Sequence, residues 1–247
     1  MKADFDDDWT GMHGTTSRHM RLTQAHVAKL TQKFDDPGFI ALPGYRVATD
    51  SDYQRVVAEL VAETPGDGFW VFAYGSLIWN PACAFVEQRI GVVHGWHRAF
   101  CLGWDQRFRG NPEAPGLMLA LDRGGQCRGA LYRLPSEALA ENLDRLVRRE
   151  MSMVPSAFPP RWVTVKTGTG PVRALTFAMN RKSGRYVSGL PMEELAAVLA
   201  CACGHRGSMA EYLFSTVSHL EQLGIHDRHL WALQDLVARH IEEQHGL

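Results

Sequence analysis

Apolar and polar positions follow two different periods along this chain. From residue 69 to 134 the apolar residues come in short runs, each stopped by Gly, Pro, Asn or Asp. That spacing belongs to strands. It predicts strands at 69–74, 89–93, 95–104, 116–122 and 127–134, with two more at 162–166 and 172–179. Asp122-Arg-Gly-Gly125 reads as the turn of a hairpin between two of them. A helical period interrupts at 137–150 and returns at 191–203, 208–223 and 227–243. Clustered strands with helices inserted and then appended give an α+β fold class, not an alternating βαβ array.

The stretch before residue 66 behaves differently. Its helical patterns are short and are broken by Asp36-Pro37-Gly38 and Pro43-Gly44. The clearest starts at Ser51, read as its N-cap, and puts Tyr53, Val56, Val57 and Leu60 on one face. Thr64-Pro65-Gly66-Asp67-Gly68 then stops it. The chain therefore divides into a helical N-terminal extension, 1–65, with a frayed acidic start, and a main domain, 66–247.

One helix carries a carboxylate on the wrong face. Pro135-Ser136-Glu137 reads as a helix start, with Ser136 as N-cap and Glu137 near the positive end of the dipole. At about 100° per residue, Leu143, Leu146, Val147 and Glu150 all fall within about 80° of Leu139. Glu141, Asp144, Arg145 and Arg148 fall on the opposite side. Periodicity thus turns Glu150 inward, where lost hydration raises a carboxyl pKa and makes a general base useful near neutral pH. The alternative is a Glu at a frayed helix end, reaching water or pairing with Arg149; Pro155 requires the helix to stop soon.

Two further features hold candidate chemistry. Tyr74-Gly75-Ser76-Leu77 follows the first strong strand. Glycine there lets a ligand approach the main chain, and successive N–H groups can hold an anion together with the Ser76 hydroxyl. A plain turn is the alternative. Without a G-x-S-x-G elbow, Ser76 is a poor nucleophile. Arginines are dense in and near the central strands: Arg98, Arg107, Arg109, Arg123, Arg128 and Arg133. A guanidinium matches a carboxylate in bidentate fashion. Arg98 and Arg133 flank apolar strand residues and are the better candidates; Arg98 is assigned to substrate binding. Arg145, Arg148 and Arg149 read as a solvated charge run.

Composition narrows the function. The 247 residues hold 26 Lys and Arg against 27 Asp and Glu, a net charge of −1. This argues against a nucleic-acid partner, whose phosphates demand a cationic surface. The charge is uneven: residues 1–67 hold seven basic and eleven acidic residues, a net of −4. No apolar run approaches the roughly 20 residues that span a bilayer. Residues 1–10 hold four Asp and no apolar core, so no secretion signal is expected. The five cysteines, an odd number, fit reduced thiols in the cytoplasm. Cys201 and Cys203 form a C-x-C without a second pair, and the eleven His are scattered, with His94 and His97 expected on a turn and a strand. No metal is expected.

The motifs together resemble a known family, the ChaC-type γ-glutamylcyclotransferases. Phe69-Trp-Val-Phe-Ala-Tyr-Gly-Ser-Leu-Ile-Trp-Asn-Pro81 is similar to the family's signature, and the likeness continues through Gly95-Trp-His-Arg-Ala-Phe-Cys-Leu102 and Pro115-Gly-Leu-Met-Leu-Ala-Leu121. It runs on through Leu146-Val-Arg-Arg-Glu-Met151, Ala174-Leu-Thr-Phe177 and Glu211-Tyr-Leu-Phe214, covering roughly 69–240. The resemblance implies a small, partly closed mixed β-barrel surrounded by helices, with the site at its mouth. It implies cleavage of glutathione, a small-molecule substrate, to 5-oxoproline and cysteinylglycine without any cofactor or metal. It places the catalytic glutamate at Glu150, the substrate-binding loop at Tyr74, Gly75, Ser76 and Leu77, and a pocket-lining tyrosine at Tyr186. The chain departs from the family in two places. Its N-terminal extension is longer than in minimal members. Gly204-His-Arg-Gly-Ser-Met209 replaces a Gly/Ser/Pro/Asn-rich loop that lies near the substrate's distal end; His205 or Arg206 contacts a carboxylate there, or both are loop residues. The alternatives are a cyclotransferase for another γ-glutamyl amine or peptide, and a non-catalytic binding protein on the same scaffold. Nothing in the sequence speaks to oligomeric state.

Overall fold

The computed structural model describes residues 19–40 and 42–246, so the acidic start of the chain lies outside the described residues. A short helix, α1 (Gln24–Lys29), and a two-residue strand, β1 (Arg46–Val47), lead into α2 (Asp50–Ala62). The cap of α2 is Thr49, two residues earlier than the Ser51 expected. The reason lies at the third helical position: the Asp52 carboxylate accepts from the Thr49 N–H at 2.8 Å, and Arg46 holds Asp52 at 2.6 and 2.8 Å.

The main domain opens with β2 (Trp70–Ala73), followed directly by the single turn α3 (Ser76–Trp79). Two long strands follow, β3 (Glu87–Asp105) and β4 (Gly116–Arg133). Each replaces two of the strands expected. Asp122-Arg-Gly-Gly125 is not a hairpin turn, and His94 and His97 both lie in β3. Gly95 stands opposite Gly124 and Gly125, with φ of 80°, 104° and 66°. These left-handed angles suit glycine, and the paired strands bulge and bend here without reversing. Pairing resumes on either side, His94 with Gln126 and Trp96 with Arg123.

A 3-10 turn (Ser136–Ala138) precedes α4 (Leu139–Glu150), so Ser136 is not the α-helix cap; its hydroxyl donates to Glu137 instead. The chain continues through β5 (Met153–Val154), β6 (Pro160–Thr167) and β7 (Gly170–Phe177). It ends with α5 (Met192–Cys201), β8 (Cys203–Gly204), β9 (Gly207–Ser208), α6 (Met209–Gln222) and α7 (Arg228–His245).

The five main strands close a barrel in the order β2-β4-β3-β6-β7. Only β2 and β7 run parallel, and their pair Val71 with Leu175 completes the closure. Side chains alternate across the barrel wall. Trp70, Phe72, Val93, Leu131, Val165 and Ala174 form one buried cluster, while Val71 and Ala73 join the larger core under the helices. Leu143, Leu146 and Val147 of α4 are fully buried in that larger core. At about 1.5–3 kcal/mol for each such side chain, their burial fixes the rotation of α4 and with it the direction of Glu150. Residues 19–40 and 42–65 lie along this body. Arg21 and His26 reach Glu242 of α7, Asp50 pairs with Arg148 of α4, and β1 pairs antiparallel with β5. All five cysteines are unpaired. No helix among the described residues is long and apolar enough to cross a membrane.

Candidate active site

Glu150 is the last residue of α4, and its side chain is 14% exposed. Burial pushes its carboxyl from 4.5 up to about 7, against the pull of Arg149. Arg149 Nε stands 3.2 Å from Glu150 Oε1. Both expectations for this residue therefore meet in one place: it is turned inward and it is paired with its neighbour. The pairing is weak for a specific reason. The other guanidinium nitrogens of Arg149 donate to Ser76 Oγ, at 3.0 Å, and to the Asn80 carbonyl. Arg149 thus ties the end of α4 to both ends of α3.

That tie brings the Tyr74–Leu77 loop to the glutamate. Gly75 stands before α3, and the first-turn N–H groups of a helix have no intrahelical acceptor. A Cβ at Gly75 would lie 3.3 Å from both the Tyr212 phenol oxygen and Leu119 Cδ2. Glycine therefore allows Tyr212, from α6, to sit against the loop. Burial and then the neighbouring Glu150 push the Tyr212 phenol up to about 12, with Ser76 opposing. Tyr74 is buried too; burial and then Glu150 hold its phenol well above 10, and it donates to the Phe177 carbonyl at 2.9 Å. Leu77 is buried in the larger core. Glu150, Gly75 and Ser76 thus share one small region with Tyr74 at its edge, and Arg149 and Tyr212 belong to it as well.

Arg98 and Tyr186 stand elsewhere. Arg98 is buried and spends its guanidinium on the protein: on the Tyr74 carbonyl at 2.9 Å, on Asp227 at 2.6 Å and on the Arg128 carbonyl. Asp227 also caps α7, accepting from the N–H groups of His229 and Leu230. Arg98 therefore braces the loop from behind and presents no free guanidinium. Tyr186 donates to Asp122 at 3.0 Å, beneath the Arg181 guanidinium. It lines, with Arg98, a cavity of about 670 Å³ to which none of Tyr74, Gly75, Ser76, Glu150 and Tyr212 contributes. Arg133 pairs with Glu87.

The sequence pattern assigns neither Arg149 nor Tyr212 to the site. Arg149 was hidden in a run of three helical arginines. Tyr212 had a usable signal: it lies within the buried stripe of α6, and a buried tyrosine needs a partner for its hydroxyl.

Comparison with known proteins agrees with this architecture. The model of the ChaC-like protein family matches residues 69–240. An Escherichia coli (strain K12) protein named glutathione-specific gamma-glutamylcyclotransferase is 40% identical over 173 residues, 69% of this chain and 74% of that protein. A mouse protein named glutathione-specific gamma-glutamylcyclotransferase 1 is 32% identical over 183 residues, 70% of this chain and 81% of the relative. The crystal structure of a selenomethionine-labelled γ-glutamyl cyclotransferase specific to glutathione from yeast superposes with a TM-score of 0.65 at 22% identity. It covers 72% of this chain and 99% of the yeast chain, and it shows a shared fold. With the family model spanning most of the sequence, this chain belongs to the ChaC-like family.

Proposed function

We propose that this chain is a glutathione-specific γ-glutamylcyclotransferase. It cleaves glutathione to 5-oxoproline and cysteinylglycine, with residues 66–247 as the catalytic unit. The observation that carries the reading is Glu150, a carboxyl held near 7 beside a glycine loop. The names of the E. coli and mouse relatives support the choice of substrate. The five unpaired cysteines support a cytoplasmic setting.

The nucleophile is the substrate's own α-amine, so no protein nucleophile is needed. The amine attacks the γ-carbonyl carbon, forms the ring C–N bond and expels the cysteinylglycine nitrogen. Bending the γ-glutamyl chain supplies proximity, worth effective molarities on the order of 10⁵–10⁸ M in favourable cases. The α-amine is mostly protonated at neutral pH and must lose a proton to attack. Glu150, ionised above about 7, takes that proton and returns one to the departing nitrogen. N–H groups from Gly75 to Leu77 hold the substrate carboxylate or the developing oxyanion. Arg98 acts from behind, through the Tyr74 carbonyl.

The test is product analysis by mass spectrometry. Purified protein is incubated with glutathione and, in parallel, with a panel of other γ-glutamyl amines, beside a folded Glu150→Gln control. The expected result is 5-oxoproline and cysteinylglycine from the native chain and almost none from the variant. Turnover confined to another panel member would move the substrate. No turnover anywhere would leave a binding protein on this scaffold.

A further inference from the structure

The N-terminal segment does more than lie on the surface. It touches two stretches that flank the candidate site. The first is β5, which starts three residues after Glu150. There β1 pairs Val47 with Met153 and Arg46 with Val154, and the Ala48 N–H donates to the Ser152 carbonyl at 3.1 Å. The second is a pair of interlocked loops, one joining β3 to β4 and the other joining β8 to β9.

These loops are built around each other. The Asp105 carboxylate gathers the N–H groups of Arg107, Phe108 and Arg109. The N–H groups of His205 and Arg206 donate to the Arg107 and Phe108 carbonyls at 3.2 and 2.8 Å. A Cβ at Gly204 would come within 2.7 Å of three carbonyl oxygens of the other loop. The pair also backs the site. Arg109 donates to the Ser208 carbonyl at 3.2 Å and pairs with Glu211, and its guanidinium stands 5.8 Å from the centre of the Tyr212 ring. Tyr212 in turn rests on Gly75.

Asp36 of the extension clasps this pair. Its carboxylate accepts from Arg107 Nε and Nη2 at 2.7 and 2.8 Å, and His205 Nε2 lies 3.6 Å from the same carboxylate. The Gly38 N–H donates to it as well, at 3.0 Å. His205 Nδ1 is 2.7 Å from the Arg107 carbonyl, which ties the two loops together, and its Nε2 makes no hydrogen bond to Asp36. The carboxylate that His205 meets therefore belongs to this chain's own extension. Phe39, Ile40 and Leu42 follow and line a small crevice with Phe108, Met153 and Arg185.

The geometry points to Asp36 as a positioning residue: through Arg107, whose carbonyl in turn accepts from His205, it holds the two interlocked loops that back Tyr212, and so shapes the pocket offered to the substrate. The extension is then part of the active-site architecture, by way of a residue outside the 69–240 span of the family match that reaches into it. The proposal rests on the cyclotransferase reading for its kinetic consequence only. An exposed ion pair adds little to global stability, so the consequence is local ordering and not melting.

The test compares the full chain with Asp36→Asn and Asp36→Glu. Hydrogen exchange is followed in peptides covering 105–110 and 203–208, with α7 as reference. Asp36→Asn is expected to speed exchange in those peptides about tenfold and leave α7 unchanged. KM for glutathione is expected to rise about three- to tenfold, with kcat and the pH midpoint of the rate unmoved. Asp36→Glu, which keeps the charge, is expected to restore both. Unchanged exchange in Asp36→Asn overturns the clasp. Faster exchange with an unchanged KM overturns its role at the site. A native chain without turnover would sink the cyclotransferase reading, and the exchange measurement would still decide whether Asp36 holds the loops.

Discussion

Two carboxylates lie against arginines beneath the surface of this protein, and their surroundings treat them in opposite ways. Asp227 is 19% exposed and Glu150 14%, and Glu150 is the more deeply enclosed of the two. For Asp227, burial raises the pKa, but Arg98 at 2.6 Å and the Leu230 N–H more than reverse it, and the carboxyl ends below its usual 3.8. For Glu150, burial wins and the carboxyl reaches about 7. Asp227 collects three donors, whereas among the described residues Glu150 has only the Arg149 contact at 3.2 Å, from a guanidinium also engaged with Ser76 and Asn80. What separates a carboxylate that holds the fold from one free to move a proton is the supply of donors set against the depth of burial.

The largest expected effect falls on catalysis. Glu150→Gln keeps the size of the side chain and removes the base. It is expected to lower kcat about 10³-fold, within the usual 10²–10⁴ range for general acid–base groups. In the native chain kcat/KM should rise with pH through a midpoint near 7, where Glu150 ionises. The variant's residual rate should lack that step. A native midpoint below pH 5, measured by product release from pH 4 to 9, would break the contrast with Asp227.

The next effect is on stability, and its sign differs between the two residues. Asp227→Asn leaves the Arg98 guanidinium, 4% exposed, without its charge partner. A loss of about 3 kcal/mol is expected, at the low end for a broken buried pair because Asp227 is partly open to water. Glu150→Gln should do the reverse. Its folded pKa lies above the ordinary 4.5, so its contribution is complete below 4.5 and fades as pH rises through about 7. At about 1.4 kcal/mol for each pH unit between those values, the ionised glutamate costs the fold up to about 3 kcal/mol above pH 7. Urea unfolding at pH 5 and pH 8 checks both signs. Glu150→Gln should gain on the native chain between the two, and Asp227→Asn should remain destabilised at each.

The contrast also explains what could be read from the chain alone. The inward turn of Glu150 was legible because Leu143, Leu146 and Val147 mark the buried face of α4 on their own. The Tyr74–Leu77 loop was legible as a glycine after a strong strand. The Asp122–Gly125 bend was misread because two glycines look like a turn until Gly95 is seen opposite them. The bracing role of Arg98 is hidden in the sequence for a similar reason. Its acceptors, Tyr74, Arg128 and Asp227, are scattered along the chain, and only folding brings them together. Asp36 read as part of a Pro-Gly break, and its partners lie some 70 and 170 positions away.

The smallest expected effect is the most discriminating. Tyr212→Phe keeps a ring that packs edge-on against Trp79 at 5.8 Å and against Phe100 at 6.2 Å, and it deletes only the oxygen above Gly75. Stability should fall by no more than about 1 kcal/mol, the ordinary worth of one hydrogen bond. The Ser76 hydroxyl loses its phenol neighbour and the loop loses a stop above Gly75. A drop in kcat/KM of about tenfold, equivalent to about 1.4 kcal/mol of transition-state stabilisation, is expected. The pH midpoint should stay near 7, because burial sets it against the pull of Arg149. A midpoint that moved towards 4.5 with the rate loss would show that the phenol keeps water from Glu150. Desolvation of the base would then depend on one aromatic ring from α6, and the difference between Glu150 and Asp227 would lie in access to water as much as in donors.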